Sequence, residues 1–214
     1  EPNLGAVDSY NDTTKGIQAL IGEAVKNNST LRALGSGWSW TKIATVNDGI
    51  MLDTKALNNL FPLTAKSVTP SYTGDPKKLF FAQCGNGIWE LSKALRARSL
   101  SLKTSGASNG QTIAGAIGTG AHGSAFDTGA VQDYVVGLHI ITGANKHIWL
   151  ERKSAPVVSA SFINKFQTEL VADDDLFNAA LVSFGSFGII HGVMIEAEDI
   201  YLMECYMQRM PYDD

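Results

Sequence analysis

A glycine-rich segment in the middle of the chain constrains the fold more than any other feature. Residues 104–124 contain six glycines and no Lys, Arg, Asp or Glu. Glycine loses more backbone entropy on folding than other residues, so this density is expected where the main chain takes positive φ or lies very close to a ligand. A second glycine-rich turn, Gly35-Ser36-Gly37, lies far upstream. Both turns present bare N–H groups, which suit a large, planar, anionic ligand.

Composition limits the classes to which the protein can belong. The 214 residues are 44% hydrophobic and 18% charged, as in ordinary soluble globular proteins, and suffice for one large domain or two small lobes. The net charge of −4 disfavours nucleic acid as a partner. No apolar run approaches the roughly 18 residues that span a bilayer. We therefore expect a soluble protein; no leader is recognisable, and no compartment is predicted.

The cysteines and histidines do not predict a metal site. Cys84 and Cys205 form no Cys-x-x-Cys motif and are expected to be buried as small apolar side chains. The four histidines lack the spacing of metal ligands. Of these, His139, His147 and His191 lie in strand-like runs and are expected to be surface or core residues without a function.

The first third of the chain has the pattern of a small α/β lobe, which we assign to residues 1–65. Apolar residues at helical spacing over residues 17–25 predict an amphipathic helix, with Thr13 or Thr14 as its N-cap. Two short apolar strands are predicted after it, at residues 31–34 and 50–53.

Residues 66–200 predict a second, larger α+β lobe, with the glycine-rich segments at the seam between the two. Its predicted strands lie at 79–84, 135–142, 147–150 and 188–195, and its predicted helices at 88–96 and 112–117. Asp173 to Asp175 are interpreted as the N-cap of a further helix, since acidic groups stabilise a helix N-terminus.

The ends of the sequence indicate a piece of a longer protein. The chain begins without Met and stops just after a strand-like run. Residues 201–214 are therefore assigned to the start of a connection to a further domain.

The glycines also match the pattern Gly-x-Gly-x-x-Gly at Gly118, Gly120 and Gly123, but the context does not fit a Rossmann fold. That motif requires a strand before it, a helix after it and an acidic residue about twenty positions later. None of these is present here. A Walker loop is also excluded, because no Gly-Lys-Ser/Thr follows either glycine cluster.

The two segments instead fit one extended dinucleotide, and a flavin dinucleotide is such a ligand. The N–H groups of residues 35–39 would face its pyrophosphate as an anion nest. Residues 106–124 would line the ribityl chain and the flavin ring. The candidate hydrogen-bonding side chains there are Thr112, Thr119, His122 and Ser124. For His122 the first expectation is a hydrogen bond to neighbouring backbone that shapes the loop, with flavin contact as the alternative.

Four motifs resemble the FAD-binding domain of the vanillyl-alcohol oxidase family, also called the p-cresol methylhydroxylase (PCMH) type. They are, in chain order, residues 32–39 (RALGSGWS), 111–124 (QTIAGAIGTGAHGS), 133–138 (DYVVGL) and 185–190 (GSFGII). The first resembles the family's pyrophosphate loop and the second its flavin loop. The third is similar to the strand that follows, and the fourth to the segment at the adenine end. The sugar-alcohol, aldonolactone and type II cholesterol oxidase branch is the most similar.

This resemblance implies an α+β, PCMH-type FAD-binding domain of two α/β lobes, one with a small, mainly parallel sheet and one with a larger mixed or antiparallel sheet. The family's substrate cap domain is absent. The residues expected to bind FAD are Leu34, Gly35, Ser36, Gly37, Trp38, Ser39, Ser105, Gly106, Thr112, Ile113, Gly115, Ala116, Thr119, Gly120, His122, Gly123, Ser124, Ile189 and Ile190.

The resemblance also bears on how FAD is attached. Many relatives carry, at the position of Trp38, a His that is bonded to the flavin. Because this chain has Trp38 there and no Cys in the second loop, FAD is expected to be held non-covalently. Trp38 is expected either to stack at the turn or to cap the core beneath it, whereas Trp40, Trp89 and Trp149 are expected to pack in the interior.

The implied function is that of a flavin-dependent oxidoreductase, an oxidase that removes hydride from a C–H bearing a hydroxyl. Its substrate would be a small alcohol or lactone, and its proton-accepting residue would lie in the cap domain, so no catalytic residue is assigned here. Two alternatives remain open. One is an enzyme similar to UDP-N-acetylenolpyruvylglucosamine reductase, in which a nicotinamide supplies the hydride. The other is a non-catalytic nucleotide-binding module.

Overall fold

A computed structural model describes residues 4–211, which form an α+β fold. Within them the helices are α1 (Leu4–Lys26), α2 (Ile88–Arg96), α3 (Ile113–Gly118), α4 (Ala160–Lys165) and α5 (Asp174–Leu181). The strands are β1 (Leu31–Leu34), β2 (Ile50–Asp53), β3 (Leu60–Pro62), β4 (Leu79–Gln83), β5 (Leu100–Ser101), β6 (Val135–Gly143), β7 (Lys146–Glu151), β8 (Glu169–Ala172), β9 (Ile189–Glu196) and β10 (Glu198–Asp199).

The largest sheet has the strand order β3-β4-β9-β6-β7-β8. Its neighbouring strands are antiparallel, except that the edge strand β8 runs parallel to β7. Alternate residues of a strand point to opposite faces. Ala82 and Val193 therefore lie in one apolar core with α2, α3 and α5, while Phe81 and Met194 lie in a second core with Trp149. Burial of both faces explains why β4 is a continuous apolar run instead of an alternating one.

Two smaller sheets complete the fold. Strands β1 and β2 form a parallel pair, and β5 pairs antiparallel with β10. A small parallel sheet beside a larger mixed one confirms the predicted fold class. Strand β3 falls within the range predicted for the first lobe, residues 1–65, but it pairs with β4 of the large sheet. The boundary at residue 65 stays a prediction.

Helix α1 begins at Leu4, so the prediction that Thr13 or Thr14 is its N-cap is wrong. Both threonines lie inside the helix, where their hydroxyls donate to the carbonyl of Tyr10 at 2.8 and 3.1 Å. The reason is tertiary packing. The Tyr10 ring is fully buried and packs edge-on against Phe81 of β4, so burial extends the helix beyond the stripe that the sequence pattern revealed.

The other predicted helices and strands are confirmed to within a few residues. Asp173 is the N-cap of α5, since its carboxylate accepts a hydrogen bond from the N–H of Leu176 at 2.8 Å. Cys84 is buried as predicted, but the prediction for Cys205 is wrong because its side chain is exposed.

After β10 the chain runs without helix or strand and is exposed through residues 200–211. The connection predicted for residues 201–214 lies in part outside the described residues. Among the helices within residues 4–211, none combines the length and apolar character needed to cross a membrane.

Candidate functional site

A cavity of about 700 Å³ lies where the two glycine-rich segments meet. Ser36 from the first segment and Thr119 from the second both border it. Its walls also include the C-terminal half of α1 and the start of β9. A volume of this size falls in the range of roughly 300–1,000 Å³ that is usual for small-molecule and cofactor sites.

The first segment leaves the small sheet at the end of β1. The carbonyl of Leu34 accepts hydrogen bonds from both the N–H and the hydroxyl of Thr54, each at 3.0 Å, which fixes where the turn begins. Gly37 has a positive φ of 69°, a conformation that a residue with a side chain rarely adopts. The backbone of residues 35–39 can therefore turn tightly along the cavity wall.

Gly35 and Thr112 bring the two segments into direct contact. A Cβ placed on Gly35 would lie 2.3 Å from the Thr112 hydroxyl oxygen, so only glycine fits there without displacement. Thr112 is held in place as the N-cap of α3, where its hydroxyl oxygen accepts from the N–H of Gly115. A side chain at residue 35 would therefore push Thr112 and the second segment away.

Trp38 makes a second contact across the seam. Its indole ring lies over Gly110, where a Cβ would come within 2.2 Å of the Trp38 Cζ2 atom. The Trp38 side chain is 53% exposed and borders the cavity, so it does not cap a buried core. This position favours the predicted stacking role over the capping role.

Helix α3 presents its small residues to the cavity and its large ones to the core. Ile113 and Ile117 are buried in the core between α3 and the large sheet, with the small Ala116 beside them. On the opposite side, Gly115 and Thr119 border the cavity, and the Thr119 hydroxyl donates to the Gly115 carbonyl at 2.9 Å. The helix thus forms a low wall with little side-chain bulk.

The far end of the cavity is formed by the start of β9. Ile189 and Ile190 border it, next to Ile141 of β6. Gly188 precedes them with a φ of 128°, and a Cβ there would lie 2.4 Å from the Ile141 carbonyl oxygen. This close approach of two backbones places the predicted adenine-end segment on the same cavity as the two glycine-rich segments.

The structure brings together most, but not all, of the residues predicted from the sequence. Those that border the cavity are Leu34, Gly35, Ser36, Gly37, Trp38, Ser39, Thr112, Gly115, Thr119, Ile189 and Ile190. Those that do not border it are Ser105, Gly106, Ile113, Ala116, Gly120, His122, Gly123 and Ser124. Ile113 and Ala116 face the core, and the others lie in or beside the loops at residues 104–106 and 120–124. A role for these eight residues in binding stays a prediction.

His122 makes the local hydrogen bond that was expected first. Its Nδ1 atom lies 3.0 Å from the carbonyl oxygen of Gly123, and the side chain is exposed. Nearby, a Cβ on Gly123 would lie 3.1 Å from the Thr104 hydroxyl oxygen, so the two loops are in contact. That this hydrogen bond shapes the loop stays a prediction.

Several residues that border the cavity were not predicted. They are Ile21, Ala24 and Val25 of α1, Trp40, Cys84, Gln111 and Phe184. The α1 residues belong to an apolar stripe that the sequence pattern assigns to the core. Trp40 and Trp89 were expected to be buried, but both are exposed, and only Trp149 is buried as predicted. Nothing in the sequence separates a cavity-lining apolar residue from a core residue.

The cavity carries little charge. Of the described residues that border it, Arg32 alone is charged. Its guanidinium lies 3.5 Å from the Phe184 carbonyl oxygen. Burial raises the pKa of the Cys84 thiol to about 12, so this thiol stays protonated at neutral pH. An anionic ligand would thus be bound mainly by backbone N–H groups.

The three histidines that were expected to lack a function form a polar cluster next to α1, and none of them borders the cavity. His139 and His191 are fully buried. Nε2 of His139 lies 2.8 Å from Nδ1 of His147, and its Nδ1 contacts the Tyr10 hydroxyl. Nε2 of His191 lies 2.9 Å from the Gln83 amide nitrogen. Within residues 4–211, no three His, Cys, Asp or Glu side chains are arranged to hold a metal ion.

The fold and the cavity are typical of a domain that holds an elongated dinucleotide. The family described as "FAD binding domain" matches residues 10–151, and the chain belongs to this family. This membership confirms the resemblance noted from the sequence motifs. The family is defined by FAD binding, so FAD is the cofactor that it supports for this chain.

Relatives with known activities agree with this assignment. The chain is 26% identical over 205 residues to D-arabinono-1,4-lactone oxidase of Debaryomyces hansenii, covering 94% of this chain and 33% of that protein. It is 26% identical over 190 residues to L-gulono-1,4-lactone dehydrogenase of Mycobacterium tuberculosis, covering 89% and 37%. The chain thus spans about one third of the length of these relatives.

The fold is also found in a solved structure. Cholesterol oxidase from Brevibacterium sterolicum superposes with a TM-score of 0.65 at 19% identity, covering 86% of this chain and 32% of that one. At this level of identity the likeness concerns the fold.

Proposed function

We propose that the cavity binds FAD non-covalently and that the chain is the flavin-binding part of an oxidoreductase. The observation that carries this proposal is that Ser36 and Thr119, from two glycine-rich segments far apart in sequence, border one cavity. The residues present fit the cofactor. The close approach of Thr112 leaves no room for a side chain at residue 35, so the backbone of this turn stays open to a ligand. The buried carboxamide oxygen of Gln111, which also borders the cavity, has no hydrogen-bond partner among the described residues.

Each part of the cavity has a role in this proposal. The N–H groups of residues 35–39 bind the pyrophosphate, and Arg32 is the cation among the described residues that border the cavity. The low wall of α3 lies along the ribityl chain. Ile189 and Ile190 contact the adenine end, and the apolar walls exclude water.

When bound, the flavin ring supplies the acceptor for a hydride taken from the substrate. The chain's own residues bind and orient the cofactor. Among the described residues that border the cavity there is no His, Asp, Glu or Lys. We therefore assign no proton-accepting residue to this chain and place that residue in a part of the protein outside it.

Two side chains at the cavity support the proposed non-covalent attachment. Trp38 offers no nucleophile, and the buried Cys84 thiol is protonated at neutral pH because burial raises its pKa to about 12. Acid precipitation of the holoprotein should leave the yellow colour in the supernatant. Colour retained in the pellet would contradict non-covalent binding.

The names of the relatives support a proposal for the substrate class. Two of them are named for the oxidation of aldonolactones, so we propose a small polyhydroxylated lactone or alcohol as the substrate of the longer protein. The test is anaerobic reduction of the flavin in that protein. An aldonolactone or alditol should bleach the flavin. Bleaching by reduced nicotinamide instead, or a flavin that none of these donors bleaches, would contradict the proposal.

The cofactor itself is tested on this chain. FAD added to purified apoprotein should bind at one per chain and shift the flavin absorbance bands. Absence of binding at concentrations well above those usual for flavoproteins would contradict the proposed function.

A further inference from the structure

Gln111 borders the cavity, and the oxygen of its side-chain carboxamide has no hydrogen-bond partner among the described residues. This Oε1 atom is buried. Three other buried side-chain atoms share this property, those of Asn11, Gln132 and Tyr134, but none of these residues borders the cavity. A buried polar atom without a partner costs free energy and calls for an explanation.

The backbone of Gln111 is held firmly in place. Its carbonyl accepts from the N–H of Ile88 at 2.9 Å. On either side, the N–H of Trp89 donates to Asn109 at 3.1 Å and the N–H of Ile113 donates to Asn86 at 2.8 Å. The unsatisfied oxygen is thus a feature of an ordered segment tied to the start of α2.

The residues on either side of Gln111 both contact the first glycine-rich segment. Gly110 on one side lies under the Trp38 ring, and Thr112 on the other side contacts Gly35. Gln111 therefore lies between two residues that contact the first glycine-rich segment, and it borders the cavity itself. Thr54, Thr112 and Thr119, which also border the cavity, already make hydrogen bonds within the chain.

We propose that Gln111 is a cofactor-binding residue whose carboxamide oxygen accepts a hydrogen bond from an N–H or O–H group of FAD. This inference rests on the proposed function. The terminal torsion of a glutamine side chain has a broad profile, so turning the oxygen toward the cavity is easy. The ligand then supplies the partner that the fold lacks, and the cost of the unpaired atom is recovered on binding.

The test compares Gln111→Met with Gln132→Met. Both replacements keep a long unbranched side chain and remove a buried oxygen that has no partner. Replacing an unsatisfied polar group by an apolar one of similar shape is neutral or stabilising, so neither variant should lower the melting temperature of the apoprotein. Only Gln111→Met should weaken FAD binding, by about three- to tenfold.

The same variants are titrated with FMN and with ADP to locate the donor on the cofactor. Loss of affinity for one half-molecule, with the other unchanged, supports a single hydrogen bond and shows which half supplies it. Equal loss for both would mean a general disturbance of the cavity and would overturn the inference.

Three other outcomes would contradict it. Unchanged FAD affinity in Gln111→Met, while the wild type binds, overturns this inference alone and leaves the proposed function standing. A large fall in the melting temperature of Gln111→Met, but not of Gln132→Met, shows that the amide is already satisfied within the fold. Failure of the wild type to bind FAD overturns the proposed function and the inference with it.

Discussion

Gly35 and Thr112 lie far apart in the sequence, yet a Cβ on Gly35 would lie 2.3 Å from the Thr112 hydroxyl oxygen. This contact holds the turn at residues 35–37 against Thr112, the N-cap of α3. Both residues border the cavity. We therefore expect that a change in the distance between these two residues weakens cofactor binding.

Gly35→Ala should weaken FAD binding by at least tenfold and lower the free energy of unfolding by about 1–3 kcal/mol, because the added methyl group overpacks the seam. FAD titration and thermal unfolding of the apoprotein measure the two effects. Gly16→Ala is the matched control. It lies on the exposed side of α1 with nothing near its Cβ position, and should stabilise the helix by roughly 0.5–1 kcal/mol without altering FAD affinity. Equal FAD affinity in the two variants would refute a role for this contact.

Gly110→Ala should displace the Trp38 ring, since the added Cβ would lie 2.2 Å from the Trp38 Cζ2 atom. We expect weaker FAD binding and reduced quenching of tryptophan fluorescence by the bound flavin, as Trp38 borders the cavity. Trp89→Phe removes an exposed tryptophan that does not border the cavity, and it should leave the FAD-induced quenching almost unchanged. A Gly110→Ala protein with wild-type affinity and quenching would show that Trp38 does not contact the cofactor.

The buried histidine cluster predicts that stability falls in mild acid. Burial, and then the charge of His147, lowers the pKa of His191 to about 3, and burial lowers the pKa of His139 well below its usual value. Because the unfolded chain binds these protons near pH 6.5 and the folded chain does not, their contribution is complete above pH 6.5. It is lost as the pH falls toward the folded pKa, by about 1.4 kcal/mol per pH unit for each proton.

His191→Gln should therefore reduce the pH dependence of the unfolding free energy between pH 6.5 and 5 by about one proton. Denaturant unfolding at several pH values measures this slope. His122→Gln removes an exposed histidine outside the cluster and serves as the control for a change in the number of histidines. The same slope in wild type and His191→Gln would argue that His191 is not buried in its neutral form.

Replacing Glu151 is expected to lower the free energy of unfolding without changing FAD affinity. Its buried carboxylate accepts hydrogen bonds from the Trp149 indole N–H at 3.1 Å and from the N–H groups of Val157 and Val158 at 3.1 and 3.2 Å. Burial raises its pKa, although these three donors act in the opposite direction. Glu151→Ala leaves the donors unpaired and should cost roughly 2–4 kcal/mol of unfolding free energy.

FAD affinity of the Glu151→Ala protein should stay close to that of the wild type, because Glu151 does not border the cavity. Glu169→Ala is the control, since this exposed carboxylate lies 3.9 Å from the Lys146 ammonium and should change stability by less than about 0.5 kcal/mol. Similar losses of stability in both variants would contradict the role given to Glu151.

The glycine-rich walls of the site could be predicted from the sequence because glycine is needed where the backbone makes a close contact, as at Gly35, or takes a positive φ, as at Gly37. It did not predict Gln111 or the α1 residues Ile21 and Ala24. An apolar helical stripe looks the same whether it faces a core or a cavity, and a single glutamine carries no pattern. The long N-terminal extension of α1 was also missed, because it depends on Tyr10 packing on Phe81, a contact distant in sequence.

Hydrogen–deuterium exchange of the apoprotein with and without FAD is the most direct test of a cavity shared by both glycine-rich segments. We predict slower exchange on FAD binding at residues 35–39 and at residues 112–119 together, with the two regions saturating at the same FAD concentration. Protection of one segment alone, or of neither while FAD is bound, would contradict a shared binding site.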